Sequence, residues 1–308
     1  MADAETDPLP PAWIAGRWAI FTGHTPVAPM SARAGMLAVI GTLAGSMVGM
    51  CAGGVIVAVA LLLVIGLPQG QPPTIGALPT GVLAAGTWLQ FVAFLVVVVA
   101  LAFVSGRPAR EAFALRSPRW GGLLAAALGG ATVGLFPSWV AENLMKVLPQ
   151  LNNGMLSQLN AMLAAGPLPG RLLLLGAVVV GAPVVEELMF RGFLWTAMRA
   201  IGGDLVAWLG TSALFAMYHV DPVHVLAVSI TGLYLGWLRR ATGSIVPGMV
   251  AHFVNNALAA GVAIAVGPAI GDSSTPARLA ALGGLLTLGI AVAVGTADAD
   301  RLRARARE

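Results

Sequence analysis

The chain has 308 residues, 58% of them hydrophobic and only 10% charged, with a mean hydropathy of +0.87. Soluble domains carry about a quarter charged residues, so an ordinary globular domain is excluded. The net charge of +4 is almost wholly arginine, Lys146 being the only lysine. These arginines sit at the ends of apolar runs, where they meet lipid headgroups rather than nucleic acid.

Residues 1–35 read as a cytoplasmic N-terminal segment. They open with Asp3, Glu5 and Asp7 rather than the basic cluster of a secretory signal peptide, and a short interfacial helix is expected at residues 12–21. Runs of about 20 apolar residues cross the hydrocarbon core. The sequence therefore predicts an all-α, polytopic transmembrane bundle of about eight spans, near residues 36–66, 81–104, 121–139, 172–198, 204–219, 222–238, 244–266 and 279–296. Residues 36–120 form the N-terminal transmembrane helices, 121–270 a transmembrane core, and 271–308 the last helix with a basic tail. A Pro/Gly-rich connector lies at 68–79 and a longer amphipathic stretch at 142–169.

The first span carries Gly41, Gly45, Gly49 and Gly53 at a spacing of four, a smooth ridge expected to pack inside the bundle. Cys51, the single cysteine, leaves no disulfide framework. With the N- and C-termini both inside, all but three of the 17 basic residues fall on inner segments, the exceptions being Lys146, Arg171 and Arg278.

Ionisable groups in hydrocarbon are costly, and each invites a functional reading. They concentrate in one third of the chain: Glu186, Glu187 and Arg191 in the fourth span, His219 at the end of the fifth, and His252, Asn255 and Asn256 in the seventh. Counting helical rise from the inner ends puts Glu187 and Asn256 about 18 Å deep, His219 about 22 Å and His252 about 12 Å. Three helices thus deliver polar groups to a similar level. Glu187 and Arg191, four apart on one face, suit a structural ion pair. Glu186, rotated about 100° away, has no such partner in its helix and suits a general base. His252 and Asn256 also share a face, one able to orient or protonate, the other to donate to a developing oxyanion. His24 and His224 read as structural or interfacial, with His224 only a supporting candidate near the outer mouth.

The stretch Pro183-Val-Val-Glu186-Glu187-Leu-Met-Phe-Arg191-Gly192 resembles the EExxxR motif of the CPBP intramembrane proteases, the family of the CAAX prenyl endopeptidases (also called Abi). Phe215-Ala-Met-Tyr-His219 is similar to its FxxxH motif, and His252-Phe-Val-Asn-Asn256, after Thr242-Gly-Ser-Ile245, to its HxxxN motif. The resemblance runs from about Leu172 to Ala260; N-terminal spans are variable in that family. It implies an intramembrane endopeptidase, glutamate-dependent or metallo, acting on a membrane-associated protein or peptide. Glu186 and His219 would activate water, His252 and Asn256 would stabilise the oxyanion, and Glu187 and Arg191 would support the site. No cofactor is expected; if a metal is bound, a zinc on Glu186, His219 and His252 is the alternative, although the HExxH helix that commonly builds such sites is absent. A non-catalytic membrane scaffold and a proton-coupled transporter remain the rival readings. The Ala/Gly/Arg-rich composition points to a high-GC bacterium and its inner (cytoplasmic) membrane. Expected partners are the bilayer and the substrate, with no nucleic acid. Oligomeric state and substrate identity are left open.

Overall fold

The computed structural model describes residues 29–65, 79–151, 155–266 and 274–305. The interfacial helix expected at 12–21, His24 and most of the 68–79 connector lie outside the described residues. Within them every regular element is helical. Helix α1 (Ala32–Ile65) is followed by α2 (Thr80–Val104) and the single turn α3 (Ala109–Ala112). Next come α4 (Trp120–Thr132), α5 (Leu135–Val147) and α6 (Met155–Ala165), the last inside the stretch read as amphipathic. An interrupted helical stretch then comprises α7 (Leu168–Gly176), α8 (Ala182–Glu186) and α9 (Trp195–Met217). It is followed by α10 (Pro222–Thr242), α11 (Val246–Val266) and α12 (Ser274–Arg305).

Six helices among the described residues are long and apolar enough to cross a membrane: Ala32–Cys51, Thr80–Val104, Trp120–Val147, Leu168–Met217, Val246–Ala265 and Ala277–Ala297. The 50 residues of Leu168–Met217 are not one rod. Gly202 (φ −148°, ψ 21°) and Gly203 (φ 76°, ψ −169°) leave helical geometry, and Gly203 occupies a region essentially reserved for glycine. Beyond it the chain turns back, because Phe190 and Phe215 stack edge to face with ring centroids 5.5 Å apart. The two arms correspond to the fourth and fifth expected segments. The 21-residue α10 corresponds to the sixth. The third segment, expected over 121–139, extends to Val147 and is broken into α4 and α5. Pro137 lacks the N–H that the Val133 carbonyl would require, so the α4 ladder stops there.

The glycine ridge of α1 packs within the bundle. A Cβ on Gly45 would stand 2.8 Å from Val97, and one on Gly49 would stand 3.0 Å from Ala93, both on α2. At the core, α4 is held between α11 and α12. There Tyr234 Oη donates to the Ala125 carbonyl, and a Cβ on Gly130 would collide with the Ala251 backbone.

The same contacts collect the arginines at one end. Gly35, two residues after Arg33, lies against Ala197 and Ile201 near Arg199. Ser244 Oγ donates to the Arg116 carbonyl at 2.6 Å, just beyond Arg239 and Arg240 at the end of α10. Gly295 abuts Trp237 and Ala125, which brings the C-terminal half of α12 to this end as well. Lys146 ends α5, whereas Arg171 and Arg278 lie in the first turns of α7 and α12, all at the opposite end.

Gly130→Ala should destabilise the fold by about 1–3 kcal/mol, because the obstacle is backbone and cannot rotate away. Gly289→Ala, where a Cβ meets nothing within 4 Å, should leave stability unchanged or slightly raised. Thermal unfolding of the two purified variants in one detergent, followed by tryptophan fluorescence, checks both.

Candidate active site

The ion pair expected from helix spacing is present. Arg191 Nη1 lies 2.9 Å from Glu187 Oε1, and both side chains have zero exposure. Such a pair needs further hydrogen bonds to offset desolvation, and neighbouring helices supply them. Arg191 Nη2 donates to the Gly232 carbonyl on α10 at 2.8 Å, a carbonyl also held by Ser212 Oγ at 2.9 Å. The guanidinium carbon sits 4.3 Å from the centre of the Phe215 ring, a cation–π contact. Arg239 Nε donates to the Arg191 carbonyl at 3.0 Å. Three helical segments, the Glu187–Arg191 stretch, α9 and α10, therefore meet around Arg191.

Glu187 is closed in from the other side by α11. A Cβ on Gly248 would stand only 2.5 Å from Glu187 Oε2. Glu186 differs in the feature that matters for chemistry: 13% of its side chain is accessible, against none of Glu187. Its buried Oε2 has no hydrogen-bond partner among the described residues. Helix α11 inserts His252 between the carboxylates, with Nε2 3.9 Å from Glu186 Oε2 and Nδ1 3.7 Å from Glu187 Oε1. Both gaps are too long for direct hydrogen bonds.

His219 reaches the site through Phe215, whose ring contacts His219 (centroids 5.0 Å) and His252 (5.7 Å). His219 Nδ1 is 2.9 Å from the Phe215 carbonyl. A carbonyl can only accept, so in this bond Nδ1 carries the proton, and Nε2 of the neutral ring presents its lone pair. The chain then turns sharply. Asp221 N–H donates to the His219 carbonyl at 2.6 Å across Val220, which has a left-handed φ of 60°. A β-branched residue in that region is strained, and such strain clusters at functional sites.

The turn brings in a residue that the sequence reading left at the margin. The His224 ring meets His219 at 4.6 Å between centroids, and it lies within electrostatic range of Glu186. A local signal was present. Asp221 accepts from the His224 N–H at 2.8 Å, and Asp followed by Pro marks a helix start, so His224 falls in the first turn beside His219. Asn256 is held on the other flank, its Nδ2 donating to the Val178 carbonyl at 2.9 Å. Asn255 Nδ2 donates to Asn256 Oδ1 at 3.2 Å.

Among the described residues, no three His, Cys, Asp or Glu side chains converge closely enough to hold a metal. As arranged, Glu186, His219 and His252 do not fit a His₂Glu zinc site.

Residues 168–258, which include every residue of this cluster, match the family described as type II CAAX prenyl endopeptidase Rce1-like. No curated protein and no solved structure matches the chain.

Removing one partner of a buried pair leaves an uncompensated charge, at a cost of about 3–5 kcal/mol. Arg191→Met should therefore fail to accumulate or unfold at much lower temperature. Arg191→Lys should be intermediate, since an ammonium cannot span Glu187 and the Gly232 carbonyl as a planar fork does. Membrane expression and thermal midpoints of the two variants give the ranking.

Proposed function

We propose that this multi-pass membrane protein is an intramembrane endopeptidase of the CPBP/CAAX type, a reading supported by the match of residues 168–258 to the type II CAAX prenyl endopeptidase Rce1-like family. It hydrolyses a peptide bond of a membrane-associated protein or peptide. The observation that carries the reading is the Glu186 carboxylate: largely buried, its Oε2 without a partner among the described residues, beside His252 and within a constellation that includes His219.

In this mechanism Glu186, with the Nε2 lone pair of His219, removes a proton from water as the oxygen attacks the scissile carbonyl carbon. The carbonyl oxygen becomes an oxyanion that His252 and Asn256 stabilise by hydrogen bonds. The carbon–nitrogen bond then breaks, and the proton taken from water passes to the departing amine. Glu187 and Arg191 keep the glutamate helix in register and do not exchange protons with substrate. The chemistry is metal-free, a glutamic endopeptidase. The basic end of the bundle faces the cytoplasm, with both termini inside, in the inner membrane of a bacterium.

Glu186→Gln keeps the shape of the side chain and removes the base. Cleavage should fall by about 10²–10⁴-fold, with expression and thermal midpoint retained. Comparing the membrane peptidomes of cells carrying the intact chain and the variant reads this out, and identical peptidomes would sink the proposal. For the purified protein acting on the peptide so identified, a chelator should leave the rate unchanged. Loss of activity that returns with one equivalent of zinc would overturn the metal-free step.

A further inference from the structure

The two ends of the Asn256 side-chain amide are chemically opposite, so a half-turn exchanges donor for acceptor. Its neighbours fix which way it faces. The Val178 carbonyl can only accept, so the Asn256 atom 2.9 Å away must be Nδ2. Oδ1 then faces the other way, towards Asn255, whose opposing atom must be its own donor, Nδ2, at 3.2 Å. That turns Asn255 Oδ1 towards Gly134, where it lies 2.8 Å from the place a Cβ would occupy. Gly134 sits in the break between α4 and α5, and only a residue without a side chain leaves Asn255 that room.

The Val178 carbonyl is available for a specific reason. Residues Ala177–Gly181 form a π segment, in which the Ala182 N–H donates to the Ala177 carbonyl five residues back. The matching donor for Val178 would be residue 183, which is proline and has no N–H. Within a membrane a carbonyl freed in this way must find a partner on a neighbouring helix, and it finds Asn256.

We propose that Asn255 and Pro183 are positioning residues for Asn256. Pro183 frees the Val178 carbonyl that takes one Asn256 N–H, and Asn255, seated against Gly134, holds Oδ1. Between them they lock the amide with its second N–H available as a donor. The brace itself rests on geometry; its effect on rate rests on the peptidase reading above.

The test uses the full chain, labelled with ¹⁵N-asparagine, in detergent micelles. Its asparagines are residues 143, 152, 153, 160, 255 and 256, and the Asn256 side-chain signal is assigned by its loss in Asn256→Asp. Asn255→Leu and Pro183→Ala should each shift that signal and speed its exchange with D₂O about tenfold, the loss of about one hydrogen bond. Asn143→Ala should not. Unchanged exchange in both variants would overturn the brace. In the second arm, on a quenched peptide carrying a junction found by the peptidome comparison, Asn255→Leu should slow turnover about tenfold with KM unchanged. The Asn255→Leu/Asn256→Ala double variant should be no slower than Asn256→Ala alone. A slower double variant would refute action through Asn256. Altered exchange with normal turnover would leave the brace standing and reject the oxyanion role.

Discussion

An arginine and a glutamate with zero exposure in an apolar helix impose a condition on everything around them. Desolvating both charges costs several kcal/mol per ion after relaxation, and attraction alone seldom offsets it. The remaining guanidinium protons need acceptors, and the carboxylate needs a tight enclosure. The Gly232 carbonyl takes one guanidinium proton, the Phe215 face lies against the guanidinium and Gly248 closes on the carboxylate, while Arg191 Nε and Glu187 Oε2 have no hydrogen-bond partner among the described residues. These three contacts come from α10, α9 and α11, so enclosing one ion pair fixes the relative placement of the helices that carry His219, His252 and Asn256. The pair is the reference point about which the rest of the site is built.

The second requirement is backbone irregularity, which lipid tolerates only where other helices complete the hydrogen bonding. Each irregular stretch here meets a polar group. The π segment at Ala177–Gly181 yields the carbonyl for Asn256. A second π segment, Glu187–Leu194, carries the ion pair. The break at Gly134 accommodates Asn255, and the strained turn at Val220 presents His219 and His224 together. Regular helices would bury apolar faces equally well, yet would leave none of these groups where it stands. Single π turns inside α-helices are frequent at functional sites for this reason.

Much of this was legible in the residues. Hydropathy located the apolar rods, and the break between the fourth and fifth coincides with Gly202-Gly203. Spacing alone separated Glu187, four residues from Arg191, from Glu186. What stayed hidden depends on contacts between distant segments. Nothing local says that Gly248 must lack a side chain, because the reason is a carboxylate on another helix. Asn255 looked like a bystander to Asn256 because its role needs both Val178 and Gly134. His224 read only as a supporting candidate near the outer mouth, whereas a turn brings its ring against His219.

The contrast between the two glutamates explains why the site needs both. Glu187 is held by a guanidinium 2.9 Å away and has no exposed surface. Glu186 keeps 13% of its side chain accessible and lies 3.9 Å from His252 Nε2, too far for a direct hydrogen bond. Glu187, tied to Arg191 through Oε1, anchors the helix that presents Glu186. The same anchoring explains the difference in access. Arg191 draws Glu187 into the packed interior, and the rotation between consecutive helical residues leaves Glu186 partly accessible.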